Sequence, residues 1–359
     1  MESKIEFDLY CWASDFSSKR GEGILARDYI LNLSMLKNKR FLIRSPDSLY
    51  RVYNNKIKKI KRLSVTETKL NLTFFENYIS PLIGILYLWK NFIKGRGVCY
   101  LNFLPLWNFL IFALLPPKTH LGPITGFIFK NKITNLNSFL RKYVINALLK
   151  FSLKILYLRQ NKIYFSTDLL KPFVKKTYRN KTHYNYLINL VKIKKIRKKN
   201  IDLLIYNRDY SVKNNYLRDK FLKNILLYNL KIYVVGDYLD LKKVKNLGFI
   251  SRNQINNLLK RSRFIVNSGE NPYNIFTIDA FNNHSTIIYE EKFMNKIQFF
   301  NKNKLLFINF TKREEISNFF KQYKKKISKS RLTTNYKKLK NNNLVYFNNV
   351  KINYTSNTD

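Results

Sequence analysis

The stretch from Leu230 to Ala280 constrains the fold of this chain more than any other feature. It holds an apolar segment that ends at Gly236, a short apolar segment that runs into Ser251, and a third at Phe264–Asn267. Helical periodicity separates the last two, and a further helix is predicted to open near Tyr273. Alternating strands and helices build a parallel sheet whose ligand site lies at the carboxyl ends of the strands.

The length of 359 residues suits two domains rather than one core, and 45% hydrophobic residues supply enough apolar material for both. A similar strand–helix rhythm precedes and follows the basic run Val191–Asn200, which we interpret as a solvated linker. We therefore predict a first domain over residues 1–198 and a second over 199–328. Residues 329–359 form a Lys/Asn-rich tail or a helix that returns to the first domain.

The net charge of +45 arises from 67 Lys and Arg against 22 Asp and Glu. A field of this sign attracts nucleic acid, anionic membrane surfaces and phosphorylated substrates. The residues in excess (Lys, Asn, Ile, Phe and Tyr) are also those with A/T-rich codons. We attribute most of the excess to base composition, while the field still favours anionic ligands.

Several classes of protein are disfavoured by the sequence. The two cysteines, Cys11 and Cys99, lie in predicted strands, so we expect buried thiols rather than a disulfide or a zinc site. We predict no essential metal and no cofactor. The most apolar run, Leu104–Pro117, falls short of the ~20 residues that a membrane span needs. We expect a cytoplasmic protein, either soluble or peripheral on the inner face of a membrane.

The first candidate site follows the predicted strand Asp202–Tyr206. Arg208 and Lys213 lie on the loop that leads into the next helix. Two cations beside a helix N-terminus can bind a diphosphate and stabilise it as a leaving group. A chain with this many basic residues produces such pairs often, so the position at a strand end is what favours a functional role.

The second candidate site follows the predicted strand Phe264–Asn267. Glu270 on the turn could accept hydrogen bonds from sugar hydroxyls, and amides near Asn274 are placed to face a phosphate. The alternative is a simple turn that leads into a helix. We take as substrate-binding residues of this segment Asn271, Tyr273, Asn274 and Asp279.

Two glycine segments of the first domain complete the candidates. Gly21 and Gly23 follow the first predicted strand in a polar loop, where backbone can approach a ligand closely. Ala26 stands where a dinucleotide fingerprint needs its third glycine. The segment from Gly122 to Thr125 is either a rigid turn that lines a substrate cleft or plain turn chemistry. Nearby His120 fits structural packing or a surface position better than a catalytic role.

Together these residues resemble the retaining nucleotide-sugar glycosyltransferases of the GT-B fold, in particular the group 1 family, over about residues 200–310. Arg208 and Lys213 are similar to the R-x(4)-K pair that holds the donor diphosphate in that family. Glu270 is similar to the first acid of its E-x(7)-E motif, which contacts the donor sugar. Asp279 is similar to the second acid, which binds the ribose, although here the spacing is one residue longer and the acid is Asp.

The resemblance extends into the first domain. The Gly21–Gly23 loop is similar to the glycine loop beside the donor phosphates. The segments Tyr-Leu-Asn-Phe-Leu-Pro-Leu-Trp-Asn-Phe and Leu-Leu-Pro-Pro-Lys-Thr-His-Leu-Gly-Pro-Ile-Thr-Gly resemble bacterial surface-polysaccharide glycosyltransferases. The resemblance implies an α/β protein with two Rossmann-like parallel-sheet domains facing each other across a cleft. It implies a hexosyltransferase that moves a sugar with retention from a nucleotide-sugar donor to a glycan or lipid-linked acceptor, in surface polysaccharide synthesis.

Two alternatives belong to other classes. A basic nucleic-acid-binding protein, for example an A/T-rich organellar ribosomal component, explains the charge directly. It does not explain repeated buried strands that end in Gly, Asn or acidic turns, and it predicts aromatic and basic residues interleaved on one face. A non-catalytic scaffold of the GT-B type is the other alternative, and it would not need Arg208, Lys213 and Glu270.

Overall fold

A computed structural model shows two compact α/β units in the described part of the chain, residues 7–184 and residues 199–326. The described residues are 7–18, 21–37, 39–63, 76–101, 108–125, 141–184, 199–207, 216–266, 272–295, 297 and 304–326. The predicted domain boundary at 198/199 adjoins the undescribed stretch 185–198, and the predicted tail 329–359 lies outside the described residues. Both stay predictions.

The first unit is built on a six-stranded mixed sheet. Its elements are β1 (Leu9–Trp12), α1 (Gly21–Lys37), β2 (Phe41–Arg44), β3 (Ser48–Tyr53), β4 (Lys56–Arg62), α2 (Glu76–Phe92), β5 (Val98–Tyr100), α3 (Phe109–Leu114), β6 (His120–Leu121), α4 (Asn146–Arg159), β7 (Ile163–Tyr164) and β8 (Thr182–His183). The strand order is β4-β3-β2-β1-β5-β6, and β7 pairs with β8 in a separate small sheet.

Strands β2, β1, β5 and β6 run parallel, whereas β3 and β4 form an antiparallel hairpin at one edge. The hairpin occupies a basic segment whose structure the sequence left unassigned. Asn54 and Asn55 turn the chain with positive φ values of 46° and 59°, which asparagine tolerates well. Strand β4 lies at the sheet edge and is rich in lysine, a composition that opposes pairing with other chains.

Two apolar layers flank this sheet. Helix α1 packs on one side, and α2, α3 and α4 share a second core cluster that contains Trp12. Gly84 lets α2 approach the sheet closely, because a Cβ at this position would collide with the Trp12 ring. Cys11 and Cys99 are buried free thiols on neighbouring strands, as expected from the sequence.

The second unit contains a six-stranded sheet that is parallel throughout. Its elements are β9 (Ile201–Asn207), α5 (Tyr216–Ile225), β10 (Ile232–Gly236), β11 (Val244–Asn246), α6 (Arg252–Arg261), β12 (Ser262–Val266), α7 (Ile275–Asn282), β13 (Thr286–Glu290), β14 (Leu305–Ile308) and α8 (Arg313–Lys326). The strand order is β11-β10-β9-β12-β13-β14. Numbered within the unit this is 3-2-1-4-5-6, the order of dinucleotide-binding sheets.

Helices cover both faces of the second sheet. Alternate strand residues such as Leu203 and Ile205 face a cluster that holds α5 and α8, while α6 and α7 pack on the other face. The strand predicted to run into Ser251 is wrong in position, since β11 ends at Asn246 and Gly248 turns the chain with φ +67°. Ser251 instead caps α6, and it forms a capping box with Gln254.

The end of the predicted linker is not a solvated connection. Lys199 is partly buried, and its Nζ donates to the carbonyl oxygens of Leu259 at 3.2 Å and Asn283 at 2.8 Å. Burial, with a smaller contribution from nearby Lys304, lowers the pKa of Lys199 to about 7. The ammonium therefore joins the ends of α6 and α7, and residues 191–198 of the run lie outside the described residues.

Candidate functional site

The strand order of the second unit reverses between β9 and β12. These two strands lie side by side, with Leu203 opposite Phe264 and Ile205 opposite Val266. In open parallel sheets, ligands bind beyond the carboxyl ends of strands at such a reversal. The two strands end at Asn207 and Val266. The chain then continues into the predicted site residues Arg208, Lys213, Glu270 and Asn271, which lie outside the described residues.

Helix α7 begins beside the end of β9. The rings of Tyr206, near the end of β9, and Phe276, in the first turn of α7, stack with centroids 5.6 Å apart. Asn274 caps the helix, because its Oδ1 accepts hydrogen bonds from N–H and Oγ1 of Thr277 at 2.8 and 2.9 Å. A helix N-terminus carries partial positive charge, so this edge of the sheet suits an anion.

A buried tyrosine fixes the segment that precedes α7. The Tyr289 hydroxyl, on β13, donates to the Pro272 carbonyl oxygen at 2.6 Å. Burial raises the pKa of Tyr289 well above its ordinary value, so the hydroxyl stays protonated and remains a donor. Tyr273, a predicted substrate-binding residue, is fully buried, and its side chain belongs to the core. Asn274 uses its side-chain oxygen for the cap.

Asp279 is bound by an arginine that the sequence analysis did not single out. Arg252, the first residue of α6, donates from Nε to Oδ2 at 3.0 Å and from Nη2 to Oδ1 at 3.1 Å. The carboxylate is almost completely buried, whereas the Arg252 side chain is about one-third exposed at 31%. Bidentate pairs of this kind fix orientation as well as charge. Asp279 is therefore held rigidly in α7.

Asn207 organises the neighbouring loop at the same edge. Its amide Nδ2 donates to the carbonyl oxygens of Asp237 and Tyr238 at 3.2 and 3.1 Å, and its own carbonyl accepts from Asp237 N at 3.0 Å. Gly236 has φ +99°, and a Cβ there would collide with the Asn207 carbonyl oxygen. Asn207 is not among the site residues predicted from the sequence. An amide that directly follows a buried strand is the signal that could have revealed it.

The prediction that Gly21 and Gly23 lie in a loop is wrong. Gly21 and Gly23 lie in the first turn of α1, which begins at Gly21. Gly23 is glycine for a packing reason, because a Cβ would collide with the carbonyl oxygens of Asp15 and Ser18 in the preceding turn. The space beside Gly23, where a ligand was expected to approach the backbone, is therefore occupied by the preceding turn of the protein.

The same corner holds a carboxyl pair that the sequence analysis missed. Glu22 lies in the first turn of α1, and a hydrogen bond joins its carboxyl group to that of Asp15. Partial desolvation of the carboxyl group, this hydrogen bond and the like charge of Asp15 raise the pKa of Glu22 to about 7, although the residue as a whole is exposed. A carboxyl group of this kind can take up or release a proton near neutral pH. The strand order of the first sheet reverses here too, between β1 and β5.

The predicted turn from Gly122 to Thr125 is extended rather than tight. Gly122 N donates to the Tyr100 carbonyl at 2.8 Å, and Ile124 N donates to the Tyr164 carbonyl at 2.8 Å. The segment therefore continues the pairing of β6 toward β7. Thr125 lies at its end and is partly exposed.

His120 is a packing residue, as favoured by the sequence analysis. It lies in β6, is 5% exposed and shares a hydrogen bond of 2.9 Å with the Tyr29 hydroxyl through Nε2. Burial lowers the pKa of His120 to about 4, so the ring stays neutral.

The described ranges contain neither a metal-binding cluster nor a membrane-spanning helix. Across the described residues, no group of three or more His, Cys, Asp and Glu side chains is placed to hold a metal ion. None of the helices in the described part of the chain has the length and apolar character needed to cross a bilayer.

Comparisons with known proteins give structural similarity only. No protein-family model and no curated protein match the chain. The chain is similar in structure to sucrose-phosphate synthase from Thermosynechococcus elongatus, with TM-score 0.52, 8% identity, and coverage of 89% of this chain and 90% of that one. A glycosyltransferase from Rickettsia africae has TM-score 0.48 at 13% identity, covering 90% and 89%. UDP-GlcNAc 2-epimerase from Methanocaldococcus jannaschii, in complex with UDP-GlcNAc and UDP, has TM-score 0.45 at 11% identity, covering 91% and 94%.

At such identities the similarity to sucrose-phosphate synthase shows the fold alone. The protein has a GT-B type of fold, an α/β architecture with two units that are each built around parallel strands. This confirms the fold class expected from the sequence, with an antiparallel hairpin added to the first sheet.

Proposed function

We propose that the protein is a glycosyltransferase that moves a sugar from a nucleotide-sugar donor to a glycan or lipid-linked acceptor. The observation that carries the proposal is the reversal of strand order between β9 and β12, with the first turn of α7 stacked beside the end of β9. The two segments that follow these neighbouring strands in the sequence contain Arg208, Lys213 and Glu270. Cations, a carboxylate and a helix N-terminus together suit a sugar diphosphate.

Each residue has a role in this proposal. Arg208 and Lys213 stabilise the departing diphosphate, and Glu270 with Asn271 orients the donor sugar. Backbone N–H groups near Asn274 contact a phosphate. We propose that the family resemblance of these residues extends to retention of configuration and to a hexose as the transferred sugar.

The ribose role of Asp279 is part of the proposal in a modified form. Arg252 engages both carboxylate oxygens, but each oxygen keeps a second lone pair that can accept from a hydroxyl group. The Arg252–Asp279 pair, rather than Asp279 alone, would then meet the ribose. We assign no phosphate contact to Gly21 or Gly23, because the carboxyl pair beside them would repel a diphosphate.

The remaining parts of the proposal concern the surroundings of the reaction. We propose a role in surface polysaccharide synthesis at the cytoplasmic face of a membrane, where the net charge of +45 favours anionic lipid. We propose that transfer needs no metal or other cofactor, and we place Gly122 and Thr125 on the acceptor side. Activity that persists in excess chelator supports metal independence, and activity that chelation abolishes contradicts it.

Donor binding is tested first. Thermal unfolding is followed with UDP-, GDP-, ADP- and CMP-sugars, because a ligand that binds only the folded state stabilises it by about 2.7 kcal/mol at a hundredfold excess over Kd. One nucleotide class should raise the midpoint clearly above the others. Salt-sensitive retention of RNA, without stabilisation by any nucleotide sugar, would support the nucleic-acid-binding alternative instead.

Turnover is tested next with the stabilising donor. Arg208→Ala should lower transfer by roughly a hundred- to a thousandfold, as for loss of one preorganised electrostatic contact. The control is Lys223→Ala, which removes an exposed lysine of α5 and should leave transfer unchanged. Undiminished turnover in a folded Arg208→Ala protein would refute the assignment. A product that is an epimerised nucleotide sugar, without transfer, would refute the reaction class.

A further inference from the structure

The outer faces of three helices in the first unit carry exposed apolar side chains. Helices α2, α3 and α4 all bury their inner faces in one core cluster, so their outer faces form one side of the unit. On α2, Leu82 and Leu86 follow at a spacing of four residues, and Ile93 comes directly after the helix. The buried residues Ile85 and Leu88 of the same helix face the core cluster.

The exposure of these side chains is unusually high for aliphatic residues. Leu86 is 70% exposed and Ile93 is 77% exposed, and Leu158 on α4 reaches 87%. Leu110 and Leu114 of α3 and Phe151 of α4 are each about half exposed. We call the outer sides of the three helices the α2–α3–α4 face.

Specific contacts hold the three helices side by side. Trp89 of α2 donates from Nε1 to the Leu114 carbonyl at 2.8 Å. Arg159 of α4 donates to carbonyl oxygens at the end of α3. The rings of Phe109 and Phe151 meet edge to face with centroids 5.1 Å apart. The exposed apolar residues therefore lie on three helices that pack side by side.

From residue 77 onward, the charged residues of the segment that contains these three helices are all basic. From residue 77 to residue 167 the sequence contains twelve Lys and Arg residues and no Asp or Glu, although the chain has 22 acidic residues elsewhere. Lys90, Lys150 and Lys154 are exposed on the same helices as the apolar rows, and Lys94 is exposed just beyond the end of α2. Aliphatic side chains bordered by lysines are the composition of surfaces that lie at a membrane interface.

The second unit differs in this respect. Its exposed large apolar residues in the described part are Leu227, Tyr238, Phe249 and Met294, which lie on separate segments. Single exposed apolar residues are ordinary on soluble proteins, whereas a continuous patch marks an interaction surface.

We propose that the α2–α3–α4 face docks on the surface of an anionic lipid bilayer. Leu86, Ile93 and Leu158 enter the boundary between head groups and acyl chains, and the surrounding lysines contact anionic head groups. This surface extends the proposed transfer reaction and does not depend on it, because the docking face needs no donor.

Other occupants fit the face less well. Single-stranded nucleic acid stacks on aromatic rings, and the most exposed residues here are aliphatic. A second copy of the chain would meet the face with the same face in a two-fold dimer, which places lysines against lysines. An anionic bilayer satisfies both the charge and the aliphatic composition.

The test is co-sedimentation of the full chain with vesicles of phosphatidylcholine alone and of phosphatidylcholine with phosphatidylglycerol. Binding should require the anionic lipid and should weaken in high salt. Replacing Lys90, Lys150 and Lys154 with Gln should lower the partition coefficient on the order of a hundredfold. Replacing Leu86, Ile93 and Leu158 with Gln should abolish binding, including the part that persists in high salt.

Matched controls use the second unit. Substitution of Lys220, Lys223 and Lys242 by Gln makes the same charge change at exposed positions there, and Leu227→Gln removes an aliphatic side chain that is 62% exposed. The vesicle partition coefficients of these variants should fall by at most a few-fold. Equal losses in both units would overturn the proposal, because binding would then reflect net charge alone.

Two further outcomes would also overturn it. A dimer in sedimentation that the Leu86, Ile93 and Leu158 substitutions dissolve, without vesicle binding, would assign the face to a second copy. Retention of RNA that depends on the same lysines, again without vesicle binding, would assign it to nucleic acid. Donor-induced thermal stabilisation, measured on every variant, should stay unchanged, so that failure of docking is distinguished from failure of the transferase proposal.

Discussion

Both units reverse their strand order beside their first strand, yet the two reversals carry opposite chemistry. In the first unit, the end of β1 leads into the hydrogen-bonded carboxyl groups of Asp15 and Glu22. In the second unit, the end of β9 lies beside the capped N-terminus of α7, and the sequence continues into Arg208 and Lys213. We therefore propose that the same topology offers a place for proton exchange in one unit and a place for an anion in the other.

The two corners also use glycine differently. Gly23 in α1 allows the preceding turn to pack on the helix, whereas Gly236 ends β10 with φ +99° against the Asn207 carbonyl. At Gly236 both the positive φ and the lack of room for a Cβ require glycine. At Gly23 only the lack of room for a Cβ requires it. Substitutions at Gly236, Arg252, Asn274 and Glu22 test this difference and the charges at each corner.

Gly236→Ala should destabilise the second unit by about 2–4 kcal/mol, because a positive φ and a collision with backbone act together. The measurement is thermal or denaturant unfolding. The control is Gly248→Ala, since Gly248 also has a positive φ but a Cβ there meets nothing within 4 Å. The free energy of unfolding of Gly248→Ala should fall by about 1 kcal/mol. Equal losses in the two variants would contradict the steric argument.

Arg252→Met should cost about 1–3 kcal/mol, because it leaves the buried Asp279 carboxylate without its bidentate partner while partial exposure of the site moderates the loss. A double-mutant cycle with Asp279→Asn measures the coupling. In Arg252→Met/Asp279→Asn the loss should be smaller than the sum of the single losses. Strict additivity would show that Arg252 and Asp279 have no coupling free energy.

Asn274→Ala should destabilise α7 by about 1 kcal/mol, as expected for loss of an N-cap. If backbone N–H groups near this cap contact a donor phosphate, donor affinity should fall as well. Asn274→Asp, measured beside it, keeps a capping oxygen but adds negative charge. It should preserve stability while weakening the donor, and unchanged donor affinity in both variants would separate the cap from the ligand.

Glu22→Gln tests the carboxyl pair through pH dependence. The folded-state pKa of about 7 lies above the ordinary value of 4.5, so the folded protein binds more protons than the unfolded chain between these values. The stabilisation is fully present below about pH 4.5 and is lost as the pH rises through 7. The stability of Glu22→Gln relative to the original protein should therefore increase across that window. If the stabilities of the two proteins change in parallel with pH, Glu22 does not share a proton with Asp15.

Several elements could be predicted from the sequence because local signals agree with their surroundings. Strand β9, predicted at Asp202–Tyr206, spans Ile201–Asn207, and the capping box of Ser251 and Gln254 is present. Apolar runs bounded by turn residues specify buried parallel strands, and a cap needs only residues three positions apart. The helix and strand order of the second unit followed from these signals.

Other features depended on contacts between distant residues. Gly21 and Gly23 read as a loop because glycine is rare inside helices, and only the approach of Asp15 and Ser18 explains Gly23. Arg252 is unremarkable among 67 basic residues until α6 and α7 pack together and bring it to Asp279. Lys199 reads as part of a solvated run, although it bonds to carbonyl oxygens that lie 60 and 84 residues away.

The sequence by itself determined the class of fold, the buried strands and the residue types available after each strand, because hydrophobic periodicity and turn residues act over short distances. Only the tertiary structure decided which strands are neighbours, and therefore where the order reverses in each sheet. It also decided which charges are paired and which apolar faces stay exposed, as on α2, α3 and α4. Those properties depend on packing between segments far apart in the chain, which no local pattern encodes.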